Sequence, residues 1–342
     1  MRPGRFMLPC MLTDAPKRIR ALSLLSGGLD SRLAVCVLRD QGIDVHGVVF
    51  ESPFFSADAA RAASIQLGIP LQVVDFTREI IELLDKPKHG FGRCMNPCID
   101  CHATMIGRAG RLMEEMGFHF LSTGEVLNER PMSQNPRSLE TVGRDSGYPD
   151  LVLRPLSAGL LPETKPERLG WVDRSRLLSL QGRGRKPQFE LAAHFGLKDF
   201  PSPAGGCRLT EPNFCRRLKD LQSHEGLKKG IRAIVLLRHG RHFRLTDKVK
   251  LIVGRDEADN MFLETGAELY DLILKLEDYP GPTGLLPIDA GEADVQLAVN
   301  AMRNGAYDFI EKPFTPQYLA GIIKRANDRR ALVLENRRLK AV

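Results

Sequence analysis

The segment ALSLLSGGLDSRLAVCVL constrains the fold more than any other part of the chain. An apolar run ends at Leu25. Ser26-Gly27-Gly28-Leu29-Asp30-Ser31 follows and leads into an amphipathic pattern. A strand, a tight loop and a helix in that order leave the first N–H groups of the helix without intrahelical partners, free to point at whatever the loop holds. Gly27 and Gly28 allow backbone angles and close approaches that a side chain would block. Ser26 and Ser31 add hydroxyl donors, so the loop suits an anion such as phosphate. No Lys-Ser or Lys-Thr follows the glycines, which excludes the kinase and GTPase type of phosphate loop, and the spacing does not fit the dinucleotide fingerprint. The bland competitor is a strand-to-helix turn in which Asp30 merely caps the helix.

Downstream, short apolar runs alternate with amphipathic segments as far as about Leu156, the pattern of a parallel sheet covered by helices. Strands are expected at Ala21 to Leu25, Val45 to Phe50, Leu71 to Phe76, His119 to Thr123 and Leu151 to Leu153. Helices are expected at Asp30 to Gln41, Ala57 to Gly68, Glu79 to Asp85 and Pro97 to Gly117. AIVLLRHGRHFRL and KVKLIVGRD read as a hairpin of two strands followed by a helix and another strand. The fold class is therefore α/β, a doubly wound parallel sheet with a small α+β C-terminal domain. The expected divisions are a tail over 1–18, the sheet domain over 19–160, a helical and loop extension completing the active site over 161–229, a further domain over 230–287 and a last piece over 288–342.

Hydrophobic residues at 43% and charged residues at 27% are ordinary for a globular protein. The net charge of +7 leans toward a polyanionic partner. There is no run of about 18 apolar residues to span a membrane, and the basic opening MRPGRFMLPCMLTDAPKR lacks the apolar stretch of a signal peptide. The expectation is a cytoplasmic protein with no membrane association. In a reducing compartment its seven cysteines point to metal or catalytic sulfur rather than to disulfides.

Three of the cysteines carry that expectation. In GRCMNPCIDCHATMIGRAG, Asn96 and Pro97 suit the cap and first residue of a helix. That puts Cys98 and Cys101 one turn apart on one face, where the macrodipole favours thiolates. Cys207 lies far along the chain in SPAGGCRLT, a loop whose glycines permit close approach. Three thiolates with one coordination position open suit a 4Fe-4S cluster. A metal-free catalytic pair of Cys98 and Cys207, a zinc site with Cys94 as fourth ligand, and reduced cysteines serving as small apolar groups are the alternatives.

The SGGLDS loop resembles the SGGxDS signature of the PP-loop ATP pyrophosphatases at every specified position, in the first strand-loop-helix where that family carries it. The resemblance implies an adenine nucleotide alpha hydrolase-like domain, cleavage of ATP between the α and β phosphates, and Mg2+ to neutralise departing pyrophosphate. Its nucleotide site would comprise Ser26, Gly27, Gly28, Leu29, Asp30, Ser31, Phe50 and Gly124, with Ser133 and Gln134 near nucleotide or base. NPCIDCH together with a distant Gly-flanked cysteine looks like the tRNA 2-thiouridine synthetases. That likeness implies Asp30, Cys98 and Cys207 as catalytic residues, and Cys98, Cys101 and Cys207 as ligands in cluster-dependent members. Cys10, Cys36, Cys94 and Cys215 have no counterpart, and Cys36 and Cys215 read as helix-face core residues. GRHFRLTDKVKLIVGRDEADN resembles the NFACT-R, or DUF814-like, RNA-binding domain, and AVNAMRNGAYDFIEKPFTPQYLAGIIKRANDRR resembles the end of a response-regulator receiver domain without its phosphoacceptor half.

The implied reaction adenylates a uridine carbonyl oxygen of a tRNA and replaces it with sulfur. Its partners are tRNA and a sulfur donor, either sulfide or a persulfide carrier, and a homodimer is one arrangement open to the chain. Basic groups such as Arg183, Arg185, Lys186, Arg216, Arg217 and Arg241 would supply RNA phosphate contacts. A noncatalytic RNA-binding protein with structural zinc and an ATP-dependent amidotransferase or ligase are the rivals. The intact loop disfavours the first, and the absence of a glutaminase-like segment disfavours the second.

Overall fold

In the computed structural model, residues 18–201, 207–269, 271–275, 281–286 and 292–303 are described. The chain divides into two compact units, Met1–Cys215 and Arg216–Val342.

The first unit alternates strand and helix as its apolar pattern dictates. β1 (Arg20–Leu24) is followed by α1 (Leu29–Asp40), β2 (Asp44–Glu51), α2 (Asp58–Leu67), β3 (Leu71–Asp75) and α3 (Thr77–Asp85). Then come α4 (Cys98–Glu115), β4 (Phe120–Thr123), α5 (Pro136–Ser146), β5 (Val152–Leu153), the short α6 (Lys165–Arg168) and α7 (Lys186–His194). The five strands form one sheet in the order β3-β2-β1-β4-β5, and every pairing is parallel. Helix α1 packs on α2 and α7, while α4 packs on α3 and α5. Sheet and helix interiors share one apolar core that includes Ala21, Leu25, Leu33, Val45, Leu67 and Phe120. Burying this face, at about 25 cal/mol per Å2, is the main stabilising contribution.

This is the expected doubly wound sheet, with each strand within one residue or so of its expected bounds. The strand order reverses at β1, so the crevice between the carboxyl ends of β1 and β4 is where such a sheet takes a ligand. The segment after β4 holds α5, which the sequence reading did not foresee. Asn135 caps it by accepting from Ser138 N at 2.9 Å, with Pro136 at the first helical position.

Helix α8 (Pro212–His224) carries the chain into the second unit. There α9 (Ile231–Leu236), β6 (Arg241–Arg244), β7 (Lys250–Val253), α10 (Glu257–Thr265), β8 (Leu272–Leu274), β9 (Gly284–Leu286) and α11 (Glu292–Arg303) follow. The strands form a sheet in the order β6-β7-β9-β8 with antiparallel pairings. The expected hairpin is present, but AIVLL in front of it is the helix α9 and not a strand. A run of β-branched and leucine residues that short fits a buried turn of helix as well as a strand, and period cannot separate the two. Apart from α11, most of the receiver-like stretch over 288–342, with its KPF turn at Lys312 to Phe314, lies outside the described residues, as does the tail up to residue 17.

Candidate nucleotide and cysteine site

The loop after β1 is built on its glycines. Gly27 has φ +81°, and a Cβ there would lie 2.2 Å from the backbone of Ala59. Only glycine fits both the angle and the approach. Gly28, not Asp30, occupies the N-cap of α1, and no side chain caps it, so the bland capping reading fails and the free N–H groups remain for a ligand. The loop is internally braced. Ser31 Oγ donates to the Gly28 carbonyl at 2.9 Å, Ser26 Oγ lies 3.3 Å from Ser31 Oγ, and the buried Arg32 donates from Nε to the Gly27 carbonyl at 3.0 Å.

Gly124, just beyond β4, closes the other side. A Cβ on it would lie 2.4 Å from Ser31 N and 2.6 Å from the Asp30 carbonyl carbon. The segment leaving β4 thus meets the first turn of α1 backbone to backbone. Leu29 is buried beneath the loop. Phe50, expected beside the nucleotide, is 5% exposed near the end of β2, its ring 5.4 Å from that of Phe76 and edge-on to it. Ser133 and Gln134 are buried, and the Gln134 side chain accepts from Arg130 N at 2.9 Å.

Asp30 sits in the first turn of α1 and faces α7. Arg185 Nη2 donates to its Oδ2 at 3.2 Å, and Arg185 Nε lies 3.7 Å from Glu129 Oε1. The other Asp30 oxygen is buried without a hydrogen bond. Burial raises the Asp30 carboxyl above its ordinary range, against the pull of Arg185 and Arg130. Burial and the neighbouring Asp30 charge raise Glu129 in the same way. The Arg185 guanidinium is thus the cation that both carboxylates share.

The cysteine arm lies at the start of α4. Pro97 occupies the N-cap and Cys98 is the first helical residue, one position later than expected. Residues near Cys207 reach back to this region: Met95 N donates to Leu209 O at 3.3 Å, and Cys94 Sγ lies 3.7 Å from Thr210 O. Cys98, Cys101 and Cys207 are close enough that each charge would disfavour its neighbours. The thiolates expected from the macrodipole do not form in this resting state. Burial pushes Cys207 up to about 11 and raises Cys98, although Arg130 and an Asn96 hydrogen bond oppose the shift at Cys98. Cys101 is buried and raised further. Desolvation outweighs a helix terminus here. Among the described residues no group of three His, Cys, Asp or Glu side chains is arranged to hold a metal ion.

Sequence reasoning missed a buried polar network beside this arm. Glu125 accepts from Arg154 Nε at 2.9 Å and from Thr123 Oγ1 at 3.1 Å, and His102 Nδ1 lies 3.2 Å from its other oxygen. Burial opposes the Glu125 charge, but Arg154 and His102 hold the carboxyl down at about 2. A Glu directly after a Gly at a strand end was the available signal.

Strand order and the loop at the switch point give the first unit an adenine nucleotide alpha hydrolase-like fold. Residues 19–144 match the tRNA methyl transferase HUP domain family, and residues 240–304 match the NFACT protein RNA binding domain. The chain resembles the tRNA 2-thiouridylases: it is 33% identical over 143 residues to the tRNA-specific 2-thiouridylase MnmA 1 of Syntrophus aciditrophicus, covering 36% of this chain and 37% of that protein. A separate likeness, 44% over 75 residues, is to the C4-dicarboxylate transport transcriptional regulatory protein DctD of Pseudomonas aeruginosa, covering 22% of this chain and 16% of that protein. A solved 4-thiouridine synthetase–RNA complex with bound ATP is 21% identical over 52% of this chain and 51% of that one, with a TM-score of 0.35, too low to bear on the fold. The chain spans less than two-fifths of the length of the thiouridylase and the regulator quoted. No helix among the described residues is long and apolar enough to cross a membrane.

Proposed function

We propose that this chain is an ATP-dependent tRNA sulfurtransferase, acting in the cytoplasm on a uridine of tRNA bound in part through residues 230–287. The observation that carries the reading is the backbone contact of Gly124 with Ser31 at the switch point, which sets the braced phosphate loop against the Glu125 network and so toward α4. ATP lies with its phosphates on Ser26 to Ser31. The uridine carbonyl oxygen attacks the α phosphorus, the bond to the β-phosphate oxygen breaks, and pyrophosphate departs as the N3 proton is lost to solvent or base. Donors fixed in advance at the helix start stabilise the charge that develops on phosphorus. Mg2+, held by Asp30 and Glu129, would supply charge neutralisation at the phosphates. The buried, unpartnered Asp30 oxygen fits that demand.

Sulfur transfer then falls to Cys98 and Cys207. A persulfide on Cys207, loaded by a sulfur carrier, attacks the activated carbon, and AMP leaves with the former carbonyl oxygen. Cys98, as thiolate, attacks the Cys207 sulfur. The sulfur–sulfur bond breaks, the thiocarbonyl is released, and a Cys98–Cys207 disulfide remains for an external thiol to reduce. Burial keeps both thiols protonated at rest, so this chemistry waits for substrate to bring charge and exclude water. A 4Fe-4S cluster on Cys98, Cys101 and Cys207 is the alternative sulfur source, with Cys101 buried beside the other two.

The test is digestion and mass spectrometry of tRNA incubated with the protein, ATP and a persulfide donor. The reading expects an oxygen-to-sulfur mass increase on one uridine, dependent on ATP. No thiolated nucleoside under these conditions, or an amidated one, would overturn it.

A further inference from the structure

We propose that Arg185, at the start of α7 and some 155 residues after the phosphate loop, is the residue that receives the pyrophosphate end of the nucleotide, exchanging its hold on Asp30 and Glu129 for phosphate oxygens when the nucleotide arrives. This rests on reading the loop as an ATP site. In the resting chain one guanidinium is shared between two carboxylates and serves neither well. It makes a 3.2 Å bond to Asp30 and a longer 3.7 Å contact to Glu129, while its own Nε is buried without a hydrogen bond. Asp30 keeps one oxygen unpartnered. Gln188, one turn along α7, is 1% exposed beside Asp30 and leaves its own carbonyl oxygen unpaired.

Buried groups left this way in a native fold call for a missing partner. A magnesium–phosphate pair supplies both signs at once: the cation suits Asp30 and Glu129, and the anion suits the planar, multiply donating Arg185. The guanidinium also lies 5.9 Å from the Phe189 ring centre, so the apolar ring holds it in place as its partners change. Arg185 thus belongs to the nucleotide site and not, as its basic surroundings suggest, to a general RNA-contacting face.

The experiment is calorimetric titration of the full chain with inorganic pyrophosphate, and separately with AMP, in Mg2+-free buffer. Arg185→Ala should weaken pyrophosphate at least ~tenfold and leave AMP within ~twofold, as expected for loss of a charge-assisted fork. Arg185→Lys should fall between, keeping charge without the fork. Glu129→Gln should tighten pyrophosphate by removing a repelling charge. Unchanged pyrophosphate binding in Arg185→Ala, or an equal loss of AMP, overturns the proposal. Should Arg185→Ala not fold, Arg185→Lys decides, and wild-type pyrophosphate affinity in it counts against. If the wild-type chain binds neither ligand, the nucleotide reading of the loop fails first and takes this proposal with it.

Discussion

Gly124 and Ser31, 93 residues apart, touch so closely that a Cβ on the glycine would lie 2.4 Å from the serine nitrogen. Neither neighbour can yield easily, since Ser31 N belongs to the first turn of α1. Gly124→Ala should therefore cost about 1–3 kcal/mol as an overpacking change, read as a lower melting temperature. If the displaced groups are the phosphate donors proposed above, ATP affinity should fall further than that of a surface alanine variant with the same melting temperature.

Glu125 gives a prediction about pH. Its folded value near 2 lies below the ordinary 4.5, so its charged form stabilises the fold above about pH 4.5, and that contribution is lost as pH falls toward 2. The shift corresponds to roughly 3 kcal/mol. Glu125→Gln should flatten the acid limb of a stability-against-pH curve over this window. At neutral pH it should destabilise the first unit by about 3–5 kcal/mol, because Arg154 is left buried and unpaired.

Much of this architecture was legible beforehand. β1, β2 and β3 read clearly because parallel strands buried on both faces are nearly continuous apolar runs, and the glycine pair fixed the first turn. α5 was not legible: its mean hydropathy is low, and its cap, Asn135, stands behind a loop whose Ser and Gln suggested a ligand contact instead. AIVLL misled for the opposite reason, being strand-like in composition yet helical in context. At the site, the loop and the cysteines could be named from spacing. The shared guanidinium of Arg185 could not, because it depends on α7 packing against α1. Thiol ionisation was misjudged because burial is a property of the fold and the helix dipole only of local sequence.

The second unit rests on a charged cluster. Arg244 grips Asp220 through Nη2 at 2.7 Å and Nε at 3.1 Å, and the buried Lys250 reaches the same carboxylate at 2.7 Å. Arg244 also holds Glu225 at 3.0 Å, so Asp220→Ala should leave Arg244 with that carboxylate alone and take from the buried Lys250 its 2.7 Å partner, destabilising this unit by about 3 kcal/mol. Unfolding should become biphasic, with the first transition assigned to residues 216–303 by hydrogen exchange.

Cys98→Ser and Cys207→Ser should each remove thiolation while ATP-dependent adenylation of the RNA persists, because the phosphate loop is chemically separate from the sulfur arm. Cys94→Ser, at a thiol held by Thr210 O, should retain most of the thiolation. Mass spectrometry of the RNA, read beside iron and zinc analysis of anaerobically purified protein, checks both points. Stoichiometric iron lost in all three single variants of Cys98, Cys101 and Cys207 would restore the cluster reading.

The central claim, that the switch-point loop activates tRNA by splitting ATP between the α and β phosphates, is tested most directly by measuring pyrophosphate released from ATP with and without tRNA. The account predicts tRNA-dependent pyrophosphate with matching AMP from the wild-type chain, and a loss of ~10²-fold or more in Asp30→Ala and Ser26→Ala at unchanged fold. Release of ADP and inorganic phosphate instead, or pyrophosphate release undiminished in both variants, would contradict it.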